Sequence, residues 1–193
     1  MRSILFFVLL FFSAIVLCAQ DITRTITDNG KKFYYNKEQG ITPSYTSYFG
    51  KSFPQRNLLT TNGKFISYDS LKTKVVVYNF WFVRCKPCIT EIPALNKLHE
   101  RFSSDSVGFI GITFDDTATI RKFLEKNEFH FNIVSLDQSN IWTMKKISYY
   151  PMTFIINRRQ EISYALFGRV GGKNPEEELI NLLESKIRVA LKE

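Results

Sequence analysis

An apolar strand pattern followed closely by two cysteines is the feature that most constrains what this chain can fold into. Residues 75–82 are almost entirely β-branched or aromatic, which suits a strand that is covered on both faces of a sheet. Cys85 and Cys88 come next, and the residues after them carry apolar side chains at helical spacing: Ile92, Leu95, Leu98 and Phe102. The cysteine pair is therefore predicted to lie where a buried strand gives way to a helix.

The rest of the chain continues this alternation. From residue 50 onward the further predicted elements are helices at 117–127 and 141–146 and strands at 53–60, 64–68, 107–114, 131–136, 153–156 and 162–167. Asn62-Gly63 predicts a hairpin turn between the first two of these strands. Asn174 and Pro175 predict the cap and first residue of a last helix. Strands that alternate with helices imply an α/β fold with a central sheet and helices on its faces.

The N-terminal residues are predicted to be a secretory signal. Arg2 is followed by an uncharged apolar run that ends in small residues, and Ala19 is the expected last residue before cleavage. The run is short for a membrane-spanning helix, which needs about 20 apolar residues; a retained membrane tether is the alternative. Cys18 is either discarded with the signal or is a lipid-attachment site.

The chain is accordingly divided into a signal peptide, an N-terminal extension and a single further domain, at residues 1–19, 20–49 and 50–193. The extension is polar and carries the turn signal Asn29-Gly30, with short strands expected at 25–27 and 32–35. We predict a β-hairpin there.

Composition and cysteine count narrow the function classes. The net charge of +8 comes from lysines and arginines scattered along the chain, which indicates a solvated basic surface and no nucleic-acid partner. Without the signal, the remaining cysteines are Cys85 and Cys88, too few for a disulfide-dense scaffold. His99 and His130 are not spaced to complete a zinc site, so we expect no metal and no cofactor. Neither histidine is assigned a function.

Two thiols separated by two residues can close a ring within the first turn of a helix. Cys85 would lie at the helix N-terminus, where unpaired N–H groups and the positive end of the helix dipole stabilise a thiolate. Arg84 and Lys86 add positive charge beside it, and Pro87 suits a first turn because it lacks an N–H. Cys88, one turn further in, is expected to be more buried and to resolve the mixed disulfide formed by Cys85.

Several stretches resemble one known family. Residues 81–88 resemble the Trp-x-x-x-Cys-x-x-Cys signature of the thioredoxin superfamily, beginning at Trp81. Residues 50–54, 62–64, 91–95 and 150–157 are similar to the TlpA/ResA-like branch, which is grouped with the AhpC/TSA and Redoxin families. The resemblance covers about residues 50 to 190. It implies a thioredoxin fold, with a central mixed β-sheet flanked by helices, and thiol–disulfide oxidoreductase activity.

The resemblance also implies supporting residues and exposes departures. Pro151 would be a cis-proline facing the active site, and Tyr150 would present backbone groups to a substrate chain. Asn79 stands where many thioredoxins carry a buried Asp, and it cannot titrate. Glu91 is either a substitute for that carboxylate or a surface residue paired with a Lys or Arg. Arg84 stands where thioredoxin has Trp, so the resemblance does not imply the substrate choice of thioredoxin for this chain.

The predicted function is that of an extracytoplasmic oxidoreductase, in the bacterial periplasm or secreted, which reduces protein disulfides and is recharged by an upstream redox partner. The alternative direction of the reaction is oxidation of partner thiols. The resemblance also suggests a protein of cytochrome maturation as one substrate. Alternatively, the protein is anchored to a membrane, either by a lipid on Cys18 or by its N-terminal segment.

Two rival functions come from other classes. A peroxidase of the peroxiredoxin type would need a Pro and a Thr or Ser where Tyr78 and Phe82 stand. A non-enzymatic binding module would keep Cys85–Cys88 as a permanent structural disulfide, although so short a loop contributes modestly on the entropy model.

Overall fold

The computed structural model describes residues 48–102, 106–145, 147 and 149–193, together with the backbone of three strands that come earlier in the chain. Those strands are β1 (Thr23–Asp28), β2 (Lys31–Asn36) and β3 (Gly40–Thr42). They form an antiparallel sheet in the order β1-β2-β3, so the predicted hairpin is present and has a third strand. The proposed signal and Cys18 lie outside the described residues, and the three-part division stays a prediction.

A five-stranded mixed sheet organises the rest. Its strands are β6 (Val75–Phe80), β7 (Val107–Thr113), β8 (Asn132–Ser135), β9 (Met152–Ile156) and β10 (Ile162–Phe167), in the spatial order β10-β9-β6-β7-β8. The first three strands along the chain run parallel, whereas β9 is antiparallel to β6 and to β10. β6 is central and buried along its whole length, as its unbroken apolar pattern predicts.

Helices cover both faces of this sheet. They are α1 (Tyr68–Leu71), α2 (Lys86–Arg101), α3 (Thr117–Leu124), α4 (Gln138–Lys145) and α5 (Pro175–Ala190). One apolar core joins Val75 and Val77 of β6 to α2, α3 and α5. The alternate residues Val76 and Tyr78 face a second core that includes α4. Successive side chains of a strand point to opposite faces, so a single strand supplies both cores.

The predicted hairpin about Asn62-Gly63 is much shorter than expected. Its strands, β4 (Leu58–Leu59) and β5 (Phe65–Ile66), have two residues each. Upstream of them, the Phe53 N–H donates to the carbonyl of Gln160 at 3.0 Å, so this segment is bound to the turn before β10 instead. Downstream, Ser67 caps α1, because its side chain accepts a hydrogen bond from the Ser70 N–H. Tertiary pairing and a cap thus replace the ends of the predicted strands.

No helix of the described part of the chain is long and apolar enough to span a bilayer.

Candidate active site

The connection between β6 and α2 places the two cysteines. Cys85 is the N-cap of α2, with extended backbone angles, and its sulfur accepts a hydrogen bond from the Cys88 N–H at 3.3 Å. Pro87 lies in the first turn, where a missing N–H leaves no hydrogen bond unmade. The two Cα atoms are 5.2 Å apart and a disulfide joins the sulfurs. The predicted redox pair therefore has the local geometry that its spacing implies.

Both cysteines are buried in this oxidised state. Cys85 is 4% exposed and Cys88 is 2% exposed, so Cys88 is the more buried of the two, as expected, but only by a small margin. Trp81 belongs to the same core and packs against Phe123 and Phe129, with ring centroids 5.3 and 5.4 Å away. Its indole N–H is buried and has no hydrogen-bond acceptor among the described residues. Trp81 therefore belongs to the same buried core as the two cysteines.

Arg84 and Lys86 flank Cys85, as the sequence requires, and both side chains are exposed. Neither forms an ion pair with any residue that the structure describes. Two uncompensated cations therefore border the site at the positive end of α2.

Asp115, one of two adjacent aspartates that precede α3, holds the loop before Cys85. Asp115 Oδ2 accepts hydrogen bonds from the Val83 N–H at 2.7 Å and from Thr113 Oγ1 at 2.8 Å. The cap of α3 is Asp116 instead, whose carboxylate accepts from the Thr119 N–H at 2.8 Å. No local signal reveals the role of Asp115 in the loop, because the Val83 N–H that it binds lies on another segment.

The loop that carries Tyr150 and Pro151 lies beside the cysteine loop. The Tyr150–Pro151 peptide bond is cis, as the resemblance implied, and the Pro151 carbonyl accepts from the Gly168 N–H at 2.9 Å. The Tyr150 ring meets Phe82 edge to face at 5.3 Å. Phe114 contacts both rings, at 5.2 Å from Phe82 and 5.7 Å from Tyr150. These three rings form a half-buried aromatic cluster next to the cysteine pair.

Asn79 lies on β6, on the side of the cysteines. It is buried, and its Nδ2 donates a hydrogen bond to Thr153 Oγ1 at 3.0 Å on the neighbouring strand. An amide in this position links β6 to β9 by a hydrogen bond, but it does not titrate and so cannot exchange a proton with a cysteine.

Glu91 is buried one turn beyond Cys88, so the surface alternative for this residue is wrong. The residue is 5% exposed, and its Oε1 has no hydrogen-bond partner among the described residues. Burial raises the pKa of its carboxyl to about 8, although the charge of Arg169 pulls that pKa down. Glu91 and Arg169 line a small cavity of about 50 Å³ between α2 and the start of α5. A carboxyl that holds its proton near neutral pH thus lies close to the disulfide.

Comparisons with known proteins place this geometry in a family. The sequence model of the AhpC/TSA family matches residues 49–165, which is more than half of the chain and includes both cysteines and Pro151. The chain belongs to the AhpC/TSA family.

Curated relatives support a narrower group within the AhpC/TSA family. The thioredoxin-like protein YneN of Bacillus subtilis is 29% identical over 150 residues, which are 76% of this chain and 84% of YneN. The thiol–disulfide oxidoreductase ResA of Bacillus cereus is 27% identical over 120 residues, 62% of this chain and 69% of ResA.

A solved structure agrees in fold. The thioredoxin domain of a thiol–disulfide oxidoreductase from Bacteroides vulgatus superposes with a TM-score of 0.59 at 22% identity, covering 72% of this chain and 97% of that domain. Together the comparisons confirm the predicted class, a TlpA/ResA-like thiol–disulfide oxidoreductase with a thioredoxin fold.

Peroxidases of this wider family would need a hydroxyl close to the reactive sulfur. Tyr78 instead lies in the core on the opposite face of the sheet from Cys85, where its hydroxyl donates to Gln55 Oε1 at 3.2 Å. Phe82 offers only its ring to the aromatic cluster. The two positions that a peroxidase would use are occupied by groups unsuited to holding a peroxide.

The two histidines come together although they are far apart in sequence. The ring centroids of His99 and His130 are 5.9 Å apart, and His130 lies 3.7 Å from both Glu100 and Glu128. Burial and the charge of His130 lower the pKa of His99. No cluster of three or more metal-ligating side chains occurs in the part of the chain that the structure describes. The histidines therefore stay without an assigned role.

Proposed function

We propose that the protein reduces disulfide bonds of other proteins outside the cytoplasm, with Cys85 as the attacking residue and Cys88 as the resolving residue. The observation that carries this proposal is the placement of Cys85 as the N-cap of α2, within disulfide distance of Cys88 and beside the Tyr150–Pro151 loop. A thiolate in that position gains from the helix dipole and from the neighbouring Arg84 and Lys86.

The reaction starts from the reduced dithiol. The Cys85 thiolate attacks one sulfur of the substrate disulfide, which forms a mixed disulfide and releases the other substrate sulfur as a thiolate. The Cys88 thiolate then attacks the Cys85 sulfur, closes the Cys85–Cys88 bond and releases the second substrate thiolate. The substrate gains two electrons and the protein loses two, so an upstream dithiol donor must reduce the pair again.

The resolving step requires Cys88 to lose its proton, and Glu91 is the group we propose to accept it. Asn79 cannot do so, because an amide does not titrate and its Nδ2 is bound to Thr153. Glu91 is buried one turn away on the same helix, and because its raised pKa of about 8 is close to that of a thiol, the ionised fraction of the carboxyl, which grows as the pH approaches 8, can take the proton of Cys88. Tyr150 would meanwhile offer backbone groups to the substrate chain at the cis-proline loop.

The extracytoplasmic location rests on the basic start and apolar run of the first nineteen residues, which fit a cleaved secretory signal. The mature protein is then either free in the periplasm or outside the cell, or held at a membrane by lipid on Cys18 or by the uncleaved segment. Fractionation with N-terminal sequencing, on the native chain and on Cys18→Ala, separates these forms. A cytosolic protein that keeps Met1 would contradict the location.

Trapping experiments test the roles of the cysteines. Cys88→Ser keeps the attacking sulfur and removes the resolving one, so it should accumulate mixed disulfides with partner proteins. Cys85→Ser, the matched control, should trap far less. Equal trapping by both variants would overturn the assignment.

The burial of both sulfurs is the one observation that favours a permanent structural disulfide instead. The reduction potential decides between these functions: a value below about −300 mV is typical of structural disulfides, and a higher value is expected for a working redox pair. The same measurement, set against the potential of the compartment, shows whether reduction or oxidation is favoured. Identification of trapped partners then tests whether cytochrome-maturation proteins are among the substrates.

A further inference from the structure

We infer that the surface around Cys85 is a docking site for protein segments whose half-cystine is flanked by acidic side chains. This inference rests on the proposed function and adds the class of substrate. Three observations support it: exposed cations border the site, they form no ion pair among the described residues, and an aromatic cluster lies beside the cysteine loop.

Cations reach this rim from two separate segments of the chain. Arg84 and Lys86 come from the loop before α2 and its first residue, and both are exposed. Arg169, also exposed, follows Gly168, whose N–H is bound to the Pro151 carbonyl at 2.9 Å, and its charge acts on the buried Glu91. None of the three forms an ion pair within the described ranges, so each is available to a partner.

The two aspartates that follow β7 are already engaged within the fold, and the carboxyl of Glu91 is buried. Asp115 is half-buried, and its carboxylate accepts from the Val83 N–H and from Thr113 Oγ1. The Asp116 carboxylate accepts from the backbone and the side chain of Thr119, each at 2.8 Å. These carboxylates point at donors within the fold, whereas the cations extend into solvent. A partner that approaches Cys85 therefore meets positive charge first.

The aromatic cluster makes the same surface suited to a protein rather than to a small disulfide. Phe82, Phe114 and Tyr150 present half-exposed rings next to the cysteine pair. Aromatic residues and arginine are the types enriched at protein interfaces. A polypeptide that lays an apolar side chain on these rings brings the residues flanking its cysteine within reach of the cations.

The experiment uses the reduced protein and three disulfide-linked peptide dimers of one sequence, with the cysteine flanked by Glu, Gln or Lys. The readout is the ratio of second-order rate constants for the Glu and Lys peptides, measured by acid quench and mass spectrometry. A ratio cancels any change in the reactivity of Cys85 itself. Electrostatic attraction should make this ratio roughly 10 or more at low ionic strength, and it should fall toward 1 in 0.5 M salt because screening is then strong.

Two double variants locate the effect. Arg84→Gln with Lys86→Gln should reduce the ratio at least about threefold, because the charges that discriminate are gone. The matched control, Lys64→Gln with Lys74→Gln, removes the same number of cations from the opposite end of the sheet, where Lys64 is exposed and Lys74 is half-buried. Lys74 directly precedes the six residues of β6, which separate it from Cys85 by about 20 Å at 3.3 Å per residue, and Lys64 lies beside Asn132 at the start of β8, so the control should keep the ratio of the native protein.

A ratio near 1 in the native protein, or an equal fall in both double variants, would overturn the inference. Reduction of the neutral 2-hydroxyethyl disulfide, measured in parallel, distinguishes this failure from that of the proposed function. If the protein reduces the neutral disulfide but its rate does not depend on peptide charge, the proposed function stands and the inference is wrong. A protein that reduces none of these disulfides contradicts both.

Discussion

The backbone N–H of Val83 donates a hydrogen bond to the carboxylate of Asp115 at 2.7 Å, and the two residues are 32 positions apart in the chain. Val83 belongs to the loop that leads into Cys85, and Asp115 follows the end of β7. The bond therefore fixes the position of this loop relative to β7. Hydrogen bonds to an ionised acceptor are stronger than those between neutral groups, so this contact stabilises the loop more than a serine or amide would.

Replacing Asp115 should loosen this loop. Asp115→Ala leaves the Val83 N–H without its acceptor and is expected to lower the free energy of unfolding by about 1–3 kcal/mol. Asp115→Asn keeps an acceptor oxygen without the charge and should cost less. Urea denaturation gives the stabilities, and the reduction potential of Cys85–Cys88 reports the loop itself. Equal stability losses in both variants, with an unchanged potential, would show that this hydrogen bond does not position the cysteines.

The buried carboxyl of Glu91 should make stability depend on pH. Its pKa in the folded protein is raised to about 8 from an ordinary value of 4.5, so the folded chain holds a proton that the unfolded chain releases between these values. The stability is full below the lower value and falls as pH rises toward 8. Glu91→Gln removes this dependence and should be more stable than the native protein at pH 7 by about 1–3 kcal/mol.

Chemical denaturation of the oxidised proteins between pH 4.5 and 8.5 measures this difference. Parallel curves for the native chain and Glu91→Gln would contradict the raised pKa. The kinetic counterpart is the rate at which the mixed disulfide is resolved: the native protein is expected to show an inflection near pH 8, and Glu91→Gln should lose it.

The hydrogen bond between Asn79 and Thr153 should matter for folding. Thr153→Val keeps the shape of the side chain but leaves the buried Asn79 Nδ2 without its acceptor, which should cost about 1–3 kcal/mol of unfolding free energy. Asn79→Leu with Thr153→Val removes both polar partners and should recover part of that loss. A double-mutant cycle measures the coupling, and strict additivity of the two substitutions would contradict it.

Two glycines of β7 form a matched pair for testing the packing beneath the active site. A Cβ on Gly111 would lie 2.7 Å from Ile133 Cδ1 and 3.2 Å from Trp81 Nε1, so Gly111→Ala should destabilise the fold by about 1–3 kcal/mol. A Cβ on Gly108 has its nearest neighbours at 3.8 Å, and Gly108→Ala should leave stability unchanged or raise it by up to about 1 kcal/mol. Similar losses from both substitutions, measured by urea denaturation, would show that the space beside Trp81 is not limiting.

The sequence by itself determined the features that depend on neighbours along the chain. The apolar run predicts β6, the helical spacing after it predicts α2, and the gap of two residues between Cys85 and Cys88 predicts a pair that can close a disulfide at a helix start. Asn174 and Pro175 likewise predict the start of α5. Such features follow from local backbone preferences and from side-chain periodicity, which every short segment carries with it.

Tertiary structure decided the environment of the site, because that environment is made by residues distant in sequence. The burial of Glu91 depends on the packing of α2 against α5 and against the loop that contains Arg169. Helical periodicity alone did not decide whether Glu91 is buried or exposed. The two adjacent aspartates are equivalent candidates for the cap of α3 from the sequence. Only the hydrogen bond from the Val83 N–H shows that Asp115 holds the cysteine loop while Asp116 caps the helix. A side chain's partner and its exposure to water are set by what folds against it, and neither is encoded in the residues beside it.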